Sequence, residues 1–352
     1  MAPSKPTIVY YISSHGYGHA ARASQVIAAL PPEVRVIVRT MVDPAFIQRE
    51  SGRKLRVVPG QFDTGVLQKD NRTLDWKSTF RLAQRVRKEC ARNLLDEVEF
   101  LRKNRADIIV CDVPPAPLEA ARMAGIPSVV VGNFTWTDIF AREGKSQPEA
   151  AELAEYWRDQ YAMATLAIRT PPAFPMSYFP RVKTVQPIAR RGRNIRASLL
   201  RFLGKPRSER LVLLYFGTFG DSGLQVPQMP GVTFLAMTKM PAPAVEIDPS
   251  QWHFPDVVAS ADCVIAKPGY GTTGECMANG TPLIYHPRTE FAEYPILRRA
   301  IIEWGGGAQI PLRQFESGQW KNALAKAFEL KPRQVKSHGA AQTATAILDL
   351  II

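Results

Sequence analysis

The chain has 352 residues, of which 45% are hydrophobic and 22% charged, and it carries a net charge of +13. That length supports two domains with a core each, and the composition excludes a disordered, fibrous or membrane-embedded chain. An isoelectric point near 9.7 favours anionic partners: phosphorylated substrates, an anionic membrane surface or nucleic acid.

Apolar runs alternate with helix-like segments throughout, the pattern of α/β layers around mainly parallel sheets. The N-terminus runs straight into a first strand at 7–13 without a signal-peptide core, and no apolar run is long enough to cross a bilayer. A cytoplasmic location is expected. Further strands are expected at 34–40, 55–58, 107–111, 128–131 and 166–169. A helix over 18–30 shows an apolar face at Val26, Ile27 and Leu30 and stops at Pro31-Pro32. One long helix is expected over 74–103, charged on one face, with Leu82, Val86, Leu94, Leu95, Val98 and Leu101 on the other. The Pro- and Arg-rich stretch 171–210 separates the halves. After it, strands are expected at 211–216, 232–237, 263–266, 282–285 and 308–310, and helices near 252–261, 272–278, 294–304 and 317–328. A last helix near 338–348 is expected to pack back on the first domain. The division is then 1–190, 191–335 and a C-terminal helix within 336–352.

The cysteines (Cys90, Cys111, Cys263 and Cys276) form no Cys-x-x-Cys pair, and no His and carboxylate cluster has metal-ligand spacing. Neither a disulfide framework nor a bound metal is expected. The densest basic stretch begins Arg190-Arg191-Gly192-Arg193-Asn194-Ile195-Arg196 and continues through Arg201, Lys205, Arg207 and Arg210. It reads either as a solvated linker with some helix, or as a contact for anionic lipid or an acidic acceptor, helped by Leu199, Leu200, Phe202 and Leu203. Nucleic acid is disfavoured, because no aromatic–basic stacking motif is present.

Two glycine-rich turns follow strands. The first is Ser13-Ser14-His15-Gly16-Tyr17-Gly18-His19. Gly16 and Gly18 permit a tight bend and close approach to a ligand. His19 then opens the helix, with His15 in the loop before it. Each histidine is either an acid–base group near neutral pH or a cap bonded to backbone. Asp112 follows the strand at 107–111, on the same sheet edge as His19. It is either the carboxylate that orients a base or a helix N-cap for the segment starting near Pro114.

The second turn is Lys267-Pro268-Gly269-Tyr270-Gly271-Thr272-Thr273-Gly274-Glu275. Its glycines clear space, and Thr272 and Thr273 offer hydroxyls and N–H groups to phosphate oxygens at a helix N-terminus. Glu275 either accepts from ribose hydroxyls or complements the helix dipole. No Gly-Lys-Ser/Thr follows, so this is not a P-loop. A third turn, 215–223 with Gly217 and Thr218, either closes over a diphosphate or is an ordinary strand-to-helix turn.

These residues, in this order, resemble the GT-B glycosyltransferases that use nucleotide-sugar donors. The stretch from Trp252 to Asp262, the turn from Lys267 to Glu275, and Met277-Ala278-Asn279-Gly280-Thr281-Pro282 resemble the donor domain of the MurG-like branch. Ser14 to Ala20, Asp107 to Val113 and Ser128 to Trp136 resemble the glycosyltransferase-like domain of plant L-arabinokinases. The resemblance implies an α/β GT-B fold of two Rossmann-like domains facing a cleft. It implies inverting, metal-independent sugar transfer from a nucleotide donor, with a UDP-sugar the expected one, to an acceptor hydroxyl. His19 would be the general base and Asp112 its orienting partner. Gly269, Gly271, Thr272 and Thr273 would bind the diphosphate, Glu275 the ribose, and Glu290 and Glu293 the donor sugar. Relatives usually carry Gln or Asp-Gln where this chain has Glu290 and Glu293, and Lys267 stands where a histidine is usual. The nucleotide-sugar is a co-substrate, and no bound cofactor is implied. A non-catalytic nucleotide-sugar-binding protein and a nucleotide-sugar epimerase are the alternatives. The loops 61–65 and 134–138 are expected to line the acceptor pocket.

Overall fold

The computed structural model describes residues 5–69, 73–143, 147–217 and 223–351. The chain divides into two compact units: Met1–Gln68, Leu74–Ile188 and His338–Ile352 form one, and Lys69–Thr73 with Ala189–Ser337 the other.

Unit 1 runs β1 (Thr7–Ile12), α1 (Tyr17–Ala29), β2 (Arg35–Arg39), α2 (Pro44–Ser51), β3 (Arg56–Val58), α3 (Trp76–Arg92), α4 (Leu94–Lys103), β4 (Ile108–Asp112), α5 (Pro117–Ala124), β5 (Ser128–Gly132), α6 (Trp136–Glu143), α7 (Pro148–Tyr161), β6 (Leu166–Arg169) and β7 (Val182–Thr184). Among the described residues its sheet has the order β3-β2-β1-β4-β5-β6-β7, and every pairing is parallel. All six residues of β1 are buried, as are all five of β4 and β5. Helices cover both faces of a parallel sheet, so central strands read as unbroken apolar runs.

Unit 2 contains α8 (Arg196–Phe202), β8 (Arg210–Tyr215), β9 (Val232–Ala236), β10 (Val245–Glu246), α9 (Phe254–Ser260), β11 (Cys263–Ala266), α10 (Tyr270–Asn279), β12 (Leu283–Tyr285), α11 (Tyr294–Trp304), β13 (Gly307–Gln309), α12 (Leu312–Glu316) and α13 (Lys321–Glu329). Its described strands run β10-β9-β8-β11-β12-β13, again all parallel. The chain then returns to unit 1 as α14 (Gly339–Leu348). There Ala344, Ala346 and Ile347 join Ala20, Ala23 and Ile27 of α1 in one apolar core.

Three expectations change. The single helix over 74–103 is two, broken at Asn93 (φ −94°, ψ 11°). The new helix starts with Asp96 and Glu97 in its first turn and ends with Arg102 and Lys103, each charge favourable to the dipole. It carries Glu97 inward to accept from Tyr11 Oη at 2.5 Å and from Arg39. The helix expected over 317–328 starts later, as α13 at Lys321, and a short α12 that was not expected ends at Glu316, with Gly318 (φ 68°) in the turn between them. The separator 171–210 is not a free linker: β7 extends the first sheet, and α8 buries Leu199 and Leu200 in unit 2.

In each sheet the chain starts at a central strand, builds outward on one side, then crosses to build on the other. The reversal lies between β1 and β4 in unit 1 and between β8 and β11 in unit 2. Loops leaving the carboxyl ends of such neighbours diverge to opposite faces and leave a crevice, where open α/β sheets bind ligands. Both glycine turns leave from these switch points.

Candidate functional site

In unit 1, register pairs Ile12 with Asp112, so the ends of β1 and β4 lie side by side. Gly16 caps α1 with φ 84°, a left-handed conformation that glycine adopts without strain. The turn delivers His19 to the first turn of the helix, where its Nδ1 lies 2.9 Å from Asp112 Oδ1. Asp112 is the last residue of β4, and α5 begins only at Pro117 with Ala116 as its N-cap, so Asp112 caps no helix. The imidazole is buried against Phe134 and Trp136, at ring-centroid distances of 5.8 and 6.3 Å.

Arg22 was invisible as a site residue in the sequence, although it lies one helical turn beyond His19 on the same face. Its guanidinium grips Asp112 in a fork, Nε to Oδ2 at 2.8 Å and Nη2 to Oδ1 at 2.6 Å. Its Nη1 donates to Asn133 Oδ1, and Asn133 Nδ2 donates to the carbonyls of Thr170 and Pro172. Asp112 is fully enclosed. Burial alone would raise its carboxyl, but the Arg22 charge and the bonds from His19 and Arg22 outweigh it and hold the group below the usual carboxylate range.

Asp63 is a further buried acid in this network. It accepts from Trp136 Nε1 at 2.7 Å. Burial pushes its carboxyl up, opposed by bonds from Trp136 and Ser13 and by the nearby His19. The sequence marked its loop, not its charge. His15 is half-buried, edge-on to Trp136 at 5.6 Å. Gly65 (φ 63°) passes so close that a Cβ there would lie 2.2 Å from the His15 ring. The backbone N–H of His15 donates to Ser13 Oγ at 3.3 Å. Gly18 lies in the first turn of α1 with open space where a side chain would project.

In unit 2, Lys267 follows β11, Gly217 follows β8, and Arg288 follows β12, all at one carboxyl edge. A Cβ on Gly217 would lie 3.4 Å from Lys267 Nζ. Thr218 lies outside the described residues. Burial, then repulsion from Arg288, lowers Lys267 to about 8, against the attraction of Glu293. Burial likewise lowers Arg288 to about 10, and its guanidinium covers the Phe291 ring at 3.2 Å. Arg288 is the cation that the sequence reading missed. Glu293 caps α11, and Glu290 is exposed in the turn before it.

Gly269 caps α10, so Gly271, Thr272 and Thr273 stand in its first turn. Helix geometry aims the first N–H groups off that end. Gly271 is exposed and Thr272 half-buried. Thr273 differs from expectation: its N–H donates to Gly269 O at 2.9 Å, and its enclosed hydroxyl has no hydrogen-bond partner. Neither donor faces outward. Glu275 is also turned inward, 4% exposed, with Oε1 accepting from Arg190 Nε at 2.5 Å.

The basic stretch is largely consumed by such pairs. Arg193 bonds Asp256, and Arg196 and Arg210 both bond Asp262. Leu199 and Leu200 are buried, while Phe202 is exposed among Arg201, Lys205 and Arg207. Among the described residues, no three His, Cys, Asp or Glu converge as metal ligands, and no helix is long and apolar enough to cross a membrane.

No family model matches the chain. It is 30% identical over 342 residues to the L-arabinokinase of Arabidopsis thaliana, which is 92% of this chain and 32% of that one. The chain thus spans about a third of the length of that curated relative. Solved structures resemble it over nearly its whole length. The glycotransferase of kitacinnamycin superposes with a TM-score of 0.65 at 14% identity, covering 99% of this chain and 100% of that one. The calicheamicin glycosyltransferase CalG4 gives 0.63 at 18%, covering 99% and 98%. Phytolacca americana UGT2, solved with UDP-2fluoro-glucose and pterostilbene, gives 0.62 at 14%, covering 98% and 94%.

Proposed function

We propose that this chain, whose fold is that of the GT-B glycosyltransferases, is an inverting, metal-independent glycosyltransferase. It moves a sugar from a nucleotide donor, in our reading a UDP-sugar, to an acceptor hydroxyl. The observation that carries the reading is the His19–Asp112 pair at the switch point of unit 1. A base whose Nδ1 faces a buried carboxylate has Nε2 left for an acceptor proton, and the carboxylate stabilises the imidazolium that forms. The attacking oxygen displaces the nucleoside diphosphate from the opposite face of the anomeric carbon. The leaving diphosphate is met by the first turn of α10 and by Lys267 and Arg288, charges that can take the part a metal ion plays elsewhere. Glu290 and Glu293 are proposed for the donor sugar, and the 61–65 and 134–138 loops for the acceptor.

The test is calorimetric titration with nucleoside diphosphates and nucleotide sugars, with and without magnesium, followed by a transfer assay on the best donor. The His19→Ala variant is expected to lose transfer while keeping the donor affinity of the parent chain. Loss of nucleotide binding in that variant would contradict its role as base. One observation favours a second reading, a nucleotide-sugar-binding protein without transfer: of the residues expected to hold the nucleotide, Thr273 has its N–H bonded to Gly269 and its hydroxyl enclosed, and Glu275 pairs with Arg190. Tight donor binding with no turnover would select it.

A further inference from the structure

We propose that Arg22 is a positioning residue that keeps Asp112 ionised and thereby holds the His19 proton on Nδ1, leaving Nε2 as the nitrogen with the lone pair. The consequence for catalysis rests on His19 being the base. The consequence for the imidazole proton does not.

Three donors converge on one buried carboxylate. Arg22 presents Nε and Nη2 to its two oxygens in a fork, the geometry that fixes the carboxylate plane as well as its charge. His19 Nδ1 meets the same Oδ1 that accepts from Arg22 Nη2. Nδ1 therefore has two neighbours with opposite demands. Asp112, ionised, can only accept, so it requires N–H at 2.9 Å. Arg22 Nη2 can only donate, so it would require a lone pair at 3.2 Å. The shorter contact goes to the full negative charge, and the proton stays on Nδ1.

Arg22 is itself held from behind. The Asn133 amide donates to Thr170 O at 2.5 Å and Pro172 O at 3.0 Å. Its nitrogen is thus assigned, and its oxygen must face Arg22 Nη1. The relay ties the end of β5 and the loop after β6 to the imidazole. Phe134 and Trp136 pack on the ring and limit its rotation. The other acid facing the group, Asp63, is engaged by Trp136 Nε1.

Without the guanidinium, Asp112 would be a buried carboxylate with a neutral imidazole as its main partner. Such a group takes up a proton rather than remain charged. A neutral carboxyl then donates to Nδ1, the ring proton moves to Nε2, and the basic nitrogen is lost. A wrong tautomer is known to disable a histidine base while its geometry survives.

The experiment uses the full chain with 15N-labelled histidine, His19 being assigned by its absence in His19→Gln. Long-range proton–nitrogen spectra at neutral pH report which ring nitrogen is protonated. The parent chain and Arg22→Lys, which keeps the charge, are expected to carry the proton on Nδ1. Arg22→Met is expected to carry it on Nε2, with donor affinity retained and transfer lowered about 10²–10⁴-fold, the usual share of a general base. A residue needed only for packing would change stability and leave the tautomer alone. An Nε2 proton in the parent chain, or an Nδ1 proton in folded Arg22→Met, overturns the proposal. Should Arg22→Met fail to fold, Arg22→Gln, which keeps a side-chain N–H donor and removes the charge, takes its place with the same expected Nε2 proton and the same overturning result. An Nδ1 proton in a chain that transfers no sugar would sink the transferase reading and leave the role of Arg22 standing.

Discussion

At the residue scale, chemistry follows from which groups are turned inward. Thr273 shows this. Its spacing in the glycine turn suggested a phosphate contact, but its hydroxyl is enclosed without a partner. An unsatisfied buried hydroxyl costs about 1–3 kcal/mol. Thr273→Val keeps the shape and removes the polar group, so it is expected to raise thermal stability by about 1 kcal/mol and leave nucleotide affinity unchanged. Weakened nucleotide binding would return Thr273 to the ligand site. Lys267 has the opposite lesson. With its value lowered to about 8, it is cationic below that pH and neutral above it. Affinity for a nucleoside diphosphate is therefore expected to fall as pH rises through 8, and binding near that pH to take up protons. Titrations in buffers of different ionisation enthalpy read both effects. Flat affinity between about pH 7 and 9 would detach Lys267 from the phosphate.

At the element scale, parallel strands announced themselves because burial on both faces makes them uninterrupted apolar runs. β1, β4 and β11 fall within a residue or so of where their composition puts them. Short edge strands β7 and β10 did not, since exposed three- and two-residue segments carry no such signal. The break at Asn93 was hidden for another reason: both α3 and α4 have helical periodicity, and the long-range bonds of Glu97 to Tyr11 and Arg39 that accompany the second helix are not visible in consecutive residues. α14 lies far along the chain from α1, yet its Ile347 is fully buried in the unit 1 core. Ile347→Ala is expected to destabilise the protein by about 2–5 kcal/mol, the range for a large-to-small change in a packed core. Denaturant unfolding measures it, and a change under about 0.5 kcal/mol would mean α14 is a loosely held appendage.

At the scale of the whole molecule, a net charge of +13 pointed to anionic partners without saying where the charge goes. Arg22, Arg39, Arg190, Arg193, Arg196 and Arg210 pair with carboxylates of the same unit. In the 190–210 stretch, Arg201, Lys205 and Arg207 are the cations near the one exposed Phe202, while Arg191 is held by Gln334 and the Ala278 carbonyl. At about 1 kcal/mol per basic residue near an anionic surface, three cations supply association only in the millimolar range. The protein is expected to stay in the supernatant when sedimented with phosphatidylserine vesicles at about 0.15 M salt. Retention that Phe202→Ser abolishes would show this patch to be a stronger anchor than its charges imply.

Local chemistry was enough to read the α/β class, the two glycine turns, and His19 and Asp112 as a candidate pair, because strand ends, helix starts and glycine bends are written in consecutive residues. The partners of those residues were decided only by folding. Arg22, Asn133 and Asp63 reach the imidazole network from a helix, a strand end and a loop separated by scores of residues. The inward turn of Thr273 and Glu275 depends on what packs over α10. Charge compensation and burial are properties of a three-dimensional neighbourhood, so the sequence names the groups able to do chemistry, and the packing selects which of them face a ligand.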